Sequence, residues 1–565
     1  MKKFLSVILC LSMLLSYGVL VANAADDELI VTVVTDIHLD QDAEKPIHKR
    51  NSLSEAFSHV AGAGMLYSES KAVIKAFLEK AAADKSEVVL VPGDLADTGL
   101  EDEMDDVALW FSEFEKTTRK QIYVIPGNHD VLKNDAFFFA QKFAEFGYNE
   151  AIAKDTASTS YVAELPGDYR LIAIDSTVFK SGKHGIDNAR AEWIRQQAAK
   201  AKEDGKKVIA MMHHNLLDHL MIGDTLQAGA VVGNAGGLKD ILAEYGVKYI
   251  FTGHTHESDI TSYTGANGEV IYDVVTGALT VYPCPYRTVS FGDEVKLEMN
   301  YVDKIDTDSV PKGMSDEAFE LMKNNFPEYA KKSVYLGFEL TLYDTICRPS
   351  YLKGLLKINK DDHPEMSALI DKLAPRIKEV LSMPVYAEDE IEEGMSIESI
   401  LAEYSEYEVA LPDSKYETFA DVIVDAYETH AMGDENLQSF SKEVVIATKG
   451  MGALLIHVLK DVTAEEYAQV LTFVCDLLNV DVPADLINYA SDGISRFKGI
   501  ELIVSTAVLP LILEITVDDA PADINATLPG YAELIETEEE LTFGEKIKAF
   551  FIKIFSFIMS IFAFI

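Results

Sequence analysis

Seven side chains able to bind a metal ion follow directly on apolar runs of this sequence: Asp36 and His38, Asp94, Asn128, His213, and His254 and His256. His129, next to Asn128, adds a group able to move a proton. Imidazole nitrogens and carboxylate oxygens sharing one site suit zinc, iron or manganese. Seven such ligands exceed what one ion takes from protein while keeping an open position for substrate. Two ions are the natural count, with one carboxylate bridging a pair about 3.5–4 Å apart. Taken alone, Gly127-Asn128-His129-Asp130 reads as an ordinary turn after a buried strand. Its recurrence with four other strand-terminal clusters makes it a site.

These residues need strands that deliver them to one edge. Leu29 to Thr35, Glu87 to Val91, Ile122 to Ile125, Val208 to Met212 and Val247 to Phe251 are apolar, β-branched runs, each ending at a candidate ligand. Helices with apolar spacing are expected between them, at about Ser70–Ala83, Asp102–Thr117, Asp187–Lys202 and Leu238–Glu244. Strands alternating with helices signify a layered α/β domain, whose sites lie beyond the carboxyl ends of the strands. Tyr169 to Ile174 is another such run, but Asp175 after it has no histidine and reads as a turn residue. Residues 39–64 form a polar insertion in which His48 and His59 read as solvated, and Phe137 to Phe146 reads as core packing. From Val270 to Val302, short strands punctuated by Gly and Pro suggest an antiparallel completion of a sheet.

At 565 residues with 48% hydrophobic and 10% aromatic content, the chain has material for more than one domain. The net charge of −44 disfavours nucleic acid or anionic membrane as general electrostatic partners. A phosphate-bearing substrate would need concentrated local positive charge, for which metal ions are the obvious source. Met1 to Ala24 has the parts of a secretory signal, with Lys2 and Lys3, an apolar run and Ala22-Asn23-Ala24, so export is expected. Only Cys284, Cys347 and Cys475 then remain, and they read as buried hydrophobes rather than a disulfide framework. After Asp303 long amphipathic segments, among them Asp316–Lys332, Met366–Leu381 and Ala464–Leu478, predict a helical domain. Between Glu388 and Glu428 Lys415 is the only basic residue, which reads as a solvated acidic face. The expected division is a signal at 1–24, a catalytic domain at 25–303, an acidic helical domain at 304–540 and an apolar tail at 541–565. As a helix Ala549–Ile565 would be about 25 Å long, with Lys546, Lys553 and Ser560 in one polar stripe. That suits the membrane interface, and a short span or a partner-buried helix are the competing readings.

The series Asp36/His38, Gly93-Asp94, Gly127 to Asp130, His213 and Gly253 to His256 resembles the calcineurin-like metallophosphoesterase superfamily over about residues 29–300. Within it, the segment Gly185 to Ile194 looks most like class III cyclic nucleotide phosphodiesterases and purple acid phosphatase-like enzymes. The resemblance implies a four-layer α/β/β/α sandwich, followed here by the mainly helical domain. It implies that Asp36, His38 and His256 hold one ion, that Asn128, His213 and His254 hold the other, and that Asp94 bridges. It places His129 at the leaving group, and puts Asp97 where protein phosphatases carry the carboxylate that orients this histidine. Asp130 and His214 are then expected behind the ligands. His213-His214-Asn215 departs from the usual His-His-Pro, and Thr98 stands where protein phosphatases carry arginine, which disfavours phosphoprotein as substrate. The expected function is that of an exported, dinuclear metal-dependent phosphoesterase, with a diester preferred. A phosphomonoesterase or a non-catalytic surface binding module is the alternative.

Overall fold

Residues 28–41, 64–178, 184–219, 229–310 and 522–531, with parts of 315–466, are described in a computed structural model of the chain. The expected signal, His48 and His59, most of 464–478 with Cys475, and the apolar tail lie outside the described residues. Among the described residues no helix is long and apolar enough to cross a membrane.

The first half runs β1 (Leu29–Val33), α1 (Ser70–Ala83), β2 (Val88–Pro92), α2 (Glu101–Thr118), β3 (Gln121–Ile125), α3 (Ala136–Lys142), β4 (Ala153–Lys154), β5 (Tyr161–Glu164), β6 (Tyr169–Ile174), α4 (Asn188–Glu203), β7 (Lys207–Met212), α5 (Ala235–Glu244), β8 (Tyr249–Thr252), β9 (Asp259–Thr264), β10 (Val270–Val275), β11 (Pro285–Phe291) and β12 (Glu294–Tyr301). The second half runs α6 (Asp316–Asn324), α7 (Phe326–Thr341), α8 (Pro364–Leu381), α9 (Ile397–Tyr404), α10 (Phe419–Met432), α11 (Lys442–Leu459) and β13 (Asn525–Pro529).

Two mixed sheets result, in the orders β13-β12-β11-β1-β2-β3 and β4-β5-β6-β7-β8-β10-β9. β1, β2 and β3 are mutually parallel, as are β6, β7, β8 and β10, so their carboxyl ends share an edge within each sheet. Side chains alternate across a strand, and that period assigns the layers. Leu171, Ala173, Ile209 and Met211 join the core shared with β1, β2 and β3. Their neighbours Ile172, Ile174, Val208, Ala210 and Met212 pack instead on Ile194 and Ala198 of α4 and Leu238, Ile241 and Leu242 of α5. Ile74 and Phe77 of α1 and Met104, Val107 and Phe111 of α2 cover the other sheet. Each such side chain contributes about 1.5–3 kcal/mol by leaving water. The order of layers is helix, sheet, sheet, helix, as expected.

Several details differ from the sequence reading. Phe139, Phe143 and Phe146 are core residues, but Phe137, the second residue of α3 after the Asp135 cap, is 53% exposed. The expected helix 316–332 is two helices, broken at Asn325. The largest correction concerns the helical domain expected to run to 540: Asn525–Pro529 is a strand that pairs antiparallel with β12. Its flanks reach the other sheet, where Lys248 Nζ donates to the Gly530 carbonyl (2.6 Å), Ile260 N to Asp523 Oδ1 (2.8 Å) and the Tyr531 hydroxyl to the Val208 carbonyl (2.5 Å). Short alternating strands of this kind carry little signal when surrounded by helical periodicity. The helical half also touches the catalytic half through α7: the Tyr329 hydroxyl donates to Glu69 Oε1 (2.5 Å), and Val334 packs with Met65, Tyr67, Ala278 and Val281.

Candidate metal centre

Asp36 and His38 follow β1, Asp94 follows β2, Asn128 and His129 follow β3, His213 follows β7, and His254 and His256 follow β8. Turning a side chain back over a strand end requires unusual backbone. Asp36, His38, Asp94, His254 and His256 all have positive φ, between 39° and 72°. Each such non-glycine residue costs about 1–3 kcal/mol, and strain of this kind clusters at functional sites. The glycines of the motifs have a steric reason. A Cβ on Gly127 would collide with the Asp94 carboxylate, and one on Gly253 with Thr35 Oγ1 and Asp36 Oδ2.

All seven expected ligands converge. His38 Nε2 lies 3.2 Å from His256 Nε2, and Asp36 Oδ1 lies 3.7 Å from the first and 3.5 Å from the second. On the other side His213 Nε2 lies 2.9 Å from Asn128 Oδ1. Asp94 Oδ2 stands between the sets, 3.7 Å from His38 Nε2 and 3.2 Å from His213 Nε2. Ligand atoms about 2.1 Å from one ion are separated by about 3–3.4 Å in octahedral or tetrahedral geometry, so these edges suit metal ions. Asp36 Oδ1 and His254 Nδ1 are buried without a hydrogen bond. Buried polar atoms normally have partners, and a cation answers for such acceptors. The donor set therefore fits two ions.

The surrounding hydrogen bonds fix the ligands. Thr35 Oγ1 (2.7 Å) and the His254 amide (3.0 Å) both donate to Asp36 Oδ2, leaving Oδ1 for the centre. The His129 amide donates to Asp94 Oδ1 (2.8 Å), leaving Oδ2. His213 Nδ1 is 2.9 Å from the Pro92 carbonyl. Asp130 sits behind the ligands, as expected: its carboxylate accepts from the amides of Leu95 (3.0 Å), Ala96 (2.9 Å) and Gly127 (2.9 Å), tying the loops after β2 and β3 together. Asp175 is structural, accepting from Thr159 and Thr177.

Asp97 requires a correction. Its carboxylate Oδ1 lies 3.1 Å from His38 Nδ1 and only 3.7 Å from His129 Nδ1, while its main-chain carbonyl meets His129 Nδ1 at 2.5 Å. The turn after β2 aims the carbonyl at His129, so the carboxylate is left to hold His38. One residue thus orients two imidazoles by two different groups. The His129 side chain is 24% exposed, with its ring 4.7 Å edge-on from that of His38. His38, Asp94 and His129 each offer one ligand atom within 4.8 Å of the others, but the Asp97 carbonyl occupies His129 Nδ1.

Charge and burial oppose each other here. Burial alone would lower the His213 pKa, but the Asp94 carboxylate lifts it to about 9. Burial and the neighbouring His213 push His254 down to about 3. Burial works to raise Asp36, yet the neighbouring imidazoles of His256 and His38 hold it well below the carboxylate range. Thr35, Ser176 and the half-buried His184, whose ring stacks 4.2 Å from that of His214, are neighbours of the site that sequence reasoning missed. Lone hydroxyls and a loop histidine give no spacing signal.

Comparison with known proteins agrees with this geometry. Residues 29–258 match the calcineurin-like phosphoesterase family. A probable glycerophosphodiester phosphodiesterase GpdQ of Arcobacter nitrofigilis is 28% identical over 182 residues, covering 31% of this chain and 59% of the relative. The chain therefore spans about three fifths of that relative's length. Among solved structures, a dimetal phosphatase from Danio rerio aligns with TM-score 0.36 and 10% identity, covering 49% of this chain and 97% of that one. A purple acid phosphatase from yellow lupin seeds aligns with TM-score 0.34 and 13% identity, covering 49% and 52%. The motifs in order and the convergent strand ends fall within the same residues, 29–258, that are similar to the calcineurin-like phosphoesterase family.

Proposed function

We propose that the protein is a dinuclear metal-dependent phosphoesterase that hydrolyses a phosphodiester outside the cytoplasm. The observation that carries this reading is the position of Asp94 Oδ2 between two ligand sets, within 3.7 Å of one and 3.2 Å of the other. Asp36, His38 and His256 would hold one ion and Asn128, His213 and His254 the second. Bound as a pair, such ions supply a hydroxide near neutral pH and neutralise the phosphoryl oxygens during in-line attack. Iron, manganese and zinc all suit this donor set.

The chain's own residues do the rest. Asp97 holds the His38 ring from behind, and its carbonyl leaves Nε2 as the working nitrogen of His129. From that nitrogen a proton can pass to the departing alkoxide, or its charge can be stabilised. The diester preference draws support from the GpdQ relative. The leader at 1–24 supports export, and the apolar tail supports association with an envelope surface. Phospholipid head groups, envelope polymers and extracellular nucleotides are the substrate classes that this location favours. A non-catalytic binding module would be expected to have lost a ligand, and the sequence carries all seven candidate residues.

The test is hydrolysis of bis-p-nitrophenyl phosphate and p-nitrophenyl phosphate by the purified full chain with added Mn²⁺. The expected result is cleavage, faster for the diester. His129→Ala should lower kcat by about 10²–10⁴-fold with metal content unchanged, and Asn128→Ala should lower both. No hydrolysis of either ester by the parent protein would overturn the reading.

A further inference from the structure

Asp130 has a counterpart in the other sheet, a second buried carboxylate that joins two ligand loops. Asp273 of β10 is fully buried. Its Oδ2 accepts from the amides of Leu216 (2.7 Å) and Leu217 (2.9 Å), and its Oδ1 accepts from the Thr252 hydroxyl (2.6 Å). Leu216 and Leu217 follow His213 in the loop after β7, while Thr252 ends β8 just before His254. The Asp273 carboxylate therefore pins the loop of His213 to the strand that delivers His254. The same two loops share a main-chain bond, from the Gly253 amide to the His213 carbonyl (3.0 Å).

A buried carboxylate needs a positive partner. His219, further along the loop after β7, supplies it. Its Nε2 forms an ion pair with Asp273 Oδ2 at 3.3 Å, and its Nδ1 donates to Asp259 Oδ2, at the start of β9, at 2.5 Å. Burial alone would lower the His219 pKa, but the Asp273 and Asp259 carboxylates lift it to about 10, so the ring is an imidazolium at neutral pH. Its side chain is only 3% exposed, so it meets neither solvent nor substrate. Without that charge Asp273 would be a buried carboxylate short of its cation, and its hold on both loops would weaken.

We propose that His219 is a positioning residue for the hydrolysis, acting through Asp273 to fix the loop of His213 against the end of β8 that carries His254. The inference rests on the dinuclear reading above, in which both imidazoles serve the second ion. Asp36 and His38 follow β1 in the other sheet and are held by Thr35 and Asp97 instead. The first ion therefore depends on His219 less than the second does.

The test uses the full chain, stripped with a chelator and reloaded with Co²⁺, with equilibrium dialysis, visible absorption, Tm and hydrolysis of bis-p-nitrophenyl phosphate measured on one preparation. Wild type should take up two ions per chain. In His219→Gln one ion should lose about tenfold or more in affinity and its absorption band should change, with kcat falling alongside; the other ion should change by less. Leu242→Ala, a fully buried position of α5 in the core outside the second sheet, is the control for lost stability. It should lower Tm and leave both ions and the spectrum at wild-type values. Unchanged uptake and spectrum in His219→Gln would overturn the proposal, as would equal weakening of both ions or the same spectral change in Leu242→Ala. Should His219→Gln fail to fold, Asp273→Asn decides, since it keeps the side-chain shape and removes the charge that His219 answers: unaltered affinity for both ions overturns the proposal. A wild-type chain that binds no pair of ions would overturn the dinuclear reading itself, which is a different failure.

Discussion

The two halves of the chain use buried polar groups in different ways. Between β1 and β12, carboxylates and imidazoles at less than a tenth exposure crowd the strand ends of the two sheets, held by amides, hydroxyls and strained backbone. Among the described residues of the helices α7 to α11 the buried side chains are mostly apolar, and the buried His457 reaches out to an exposed carboxylate, that of Glu379 (3.2 Å). The contrast separates what folding asks of a sequence from what chemistry asks. Helical packing needs only a stripe of the right period and volume, so it leaves no trace of purpose. A metal centre needs particular atoms at particular strand ends and stores strain to place them.

That contrast can be broken by substitutions on either side of it. The largest effect is expected from Asp94→Asn. Loss of a residue that merely supports a ligand costs about 10–100-fold in metal affinity, so loss of the shared carboxylate should exceed about 100-fold and take turnover with it. Metal analysis and a hydrolysis assay on one preparation would show this, and retention of two tightly held ions would refute the bridging role. Next is Leu454→Ala in α11, at 2% exposure, which should cost about 2–5 kcal/mol in denaturant unfolding. Metal content and kcat of the folded fraction should stay at wild-type values; a matching loss of ions would mean that the halves are not separable in this way.

The smallest expected effect is a pH dependence at the entrance to α2. Glu103 is buried and accepts from the amides of Thr98 and Leu100 (both 3.1 Å), and burial pushes its pKa up to about 7. A carboxyl raised above its unfolded value of 4.5 holds an extra proton in the folded chain, so its contribution to stability falls as pH rises from about 4.5 to about 7. Wild type should therefore lose Tm across that window relative to Glu103→Gln. Parallel Tm curves for the two proteins would remove the point.

Much of the catalytic half was legible in the sequence because two signals coincided. Continuous apolar, β-branched runs marked the strands, and ligand types recurred immediately after them, so Asp36, His38, Asp94, Asn128, His213, His254 and His256 could all be named without coordinates. What stayed hidden was direction. Nothing in the sequence tells whether Asp97 offers His129 a carboxylate or a carbonyl. The short strand β13 was missed for another reason: a few residues whose pairing is settled by distant neighbours have too little local pattern to compete with helical periodicity before them.

The strand β13 gives the order of synthesis a meaning. A ribosome that has just emitted Tyr301 has made every candidate ligand, yet the outer edge of β12 still waits for Asn525–Pro529. The 229 residues from Val302 to Gly530 take about 10–50 s at about 5–20 residues per second. For that interval β12 is a bare edge, able to pair with any passing strand. Its alternation of buried Val295, Leu297 and Met299 with charged Glu294, Lys296 and Glu298 keeps charge on one face of that edge while the nascent chain catches up.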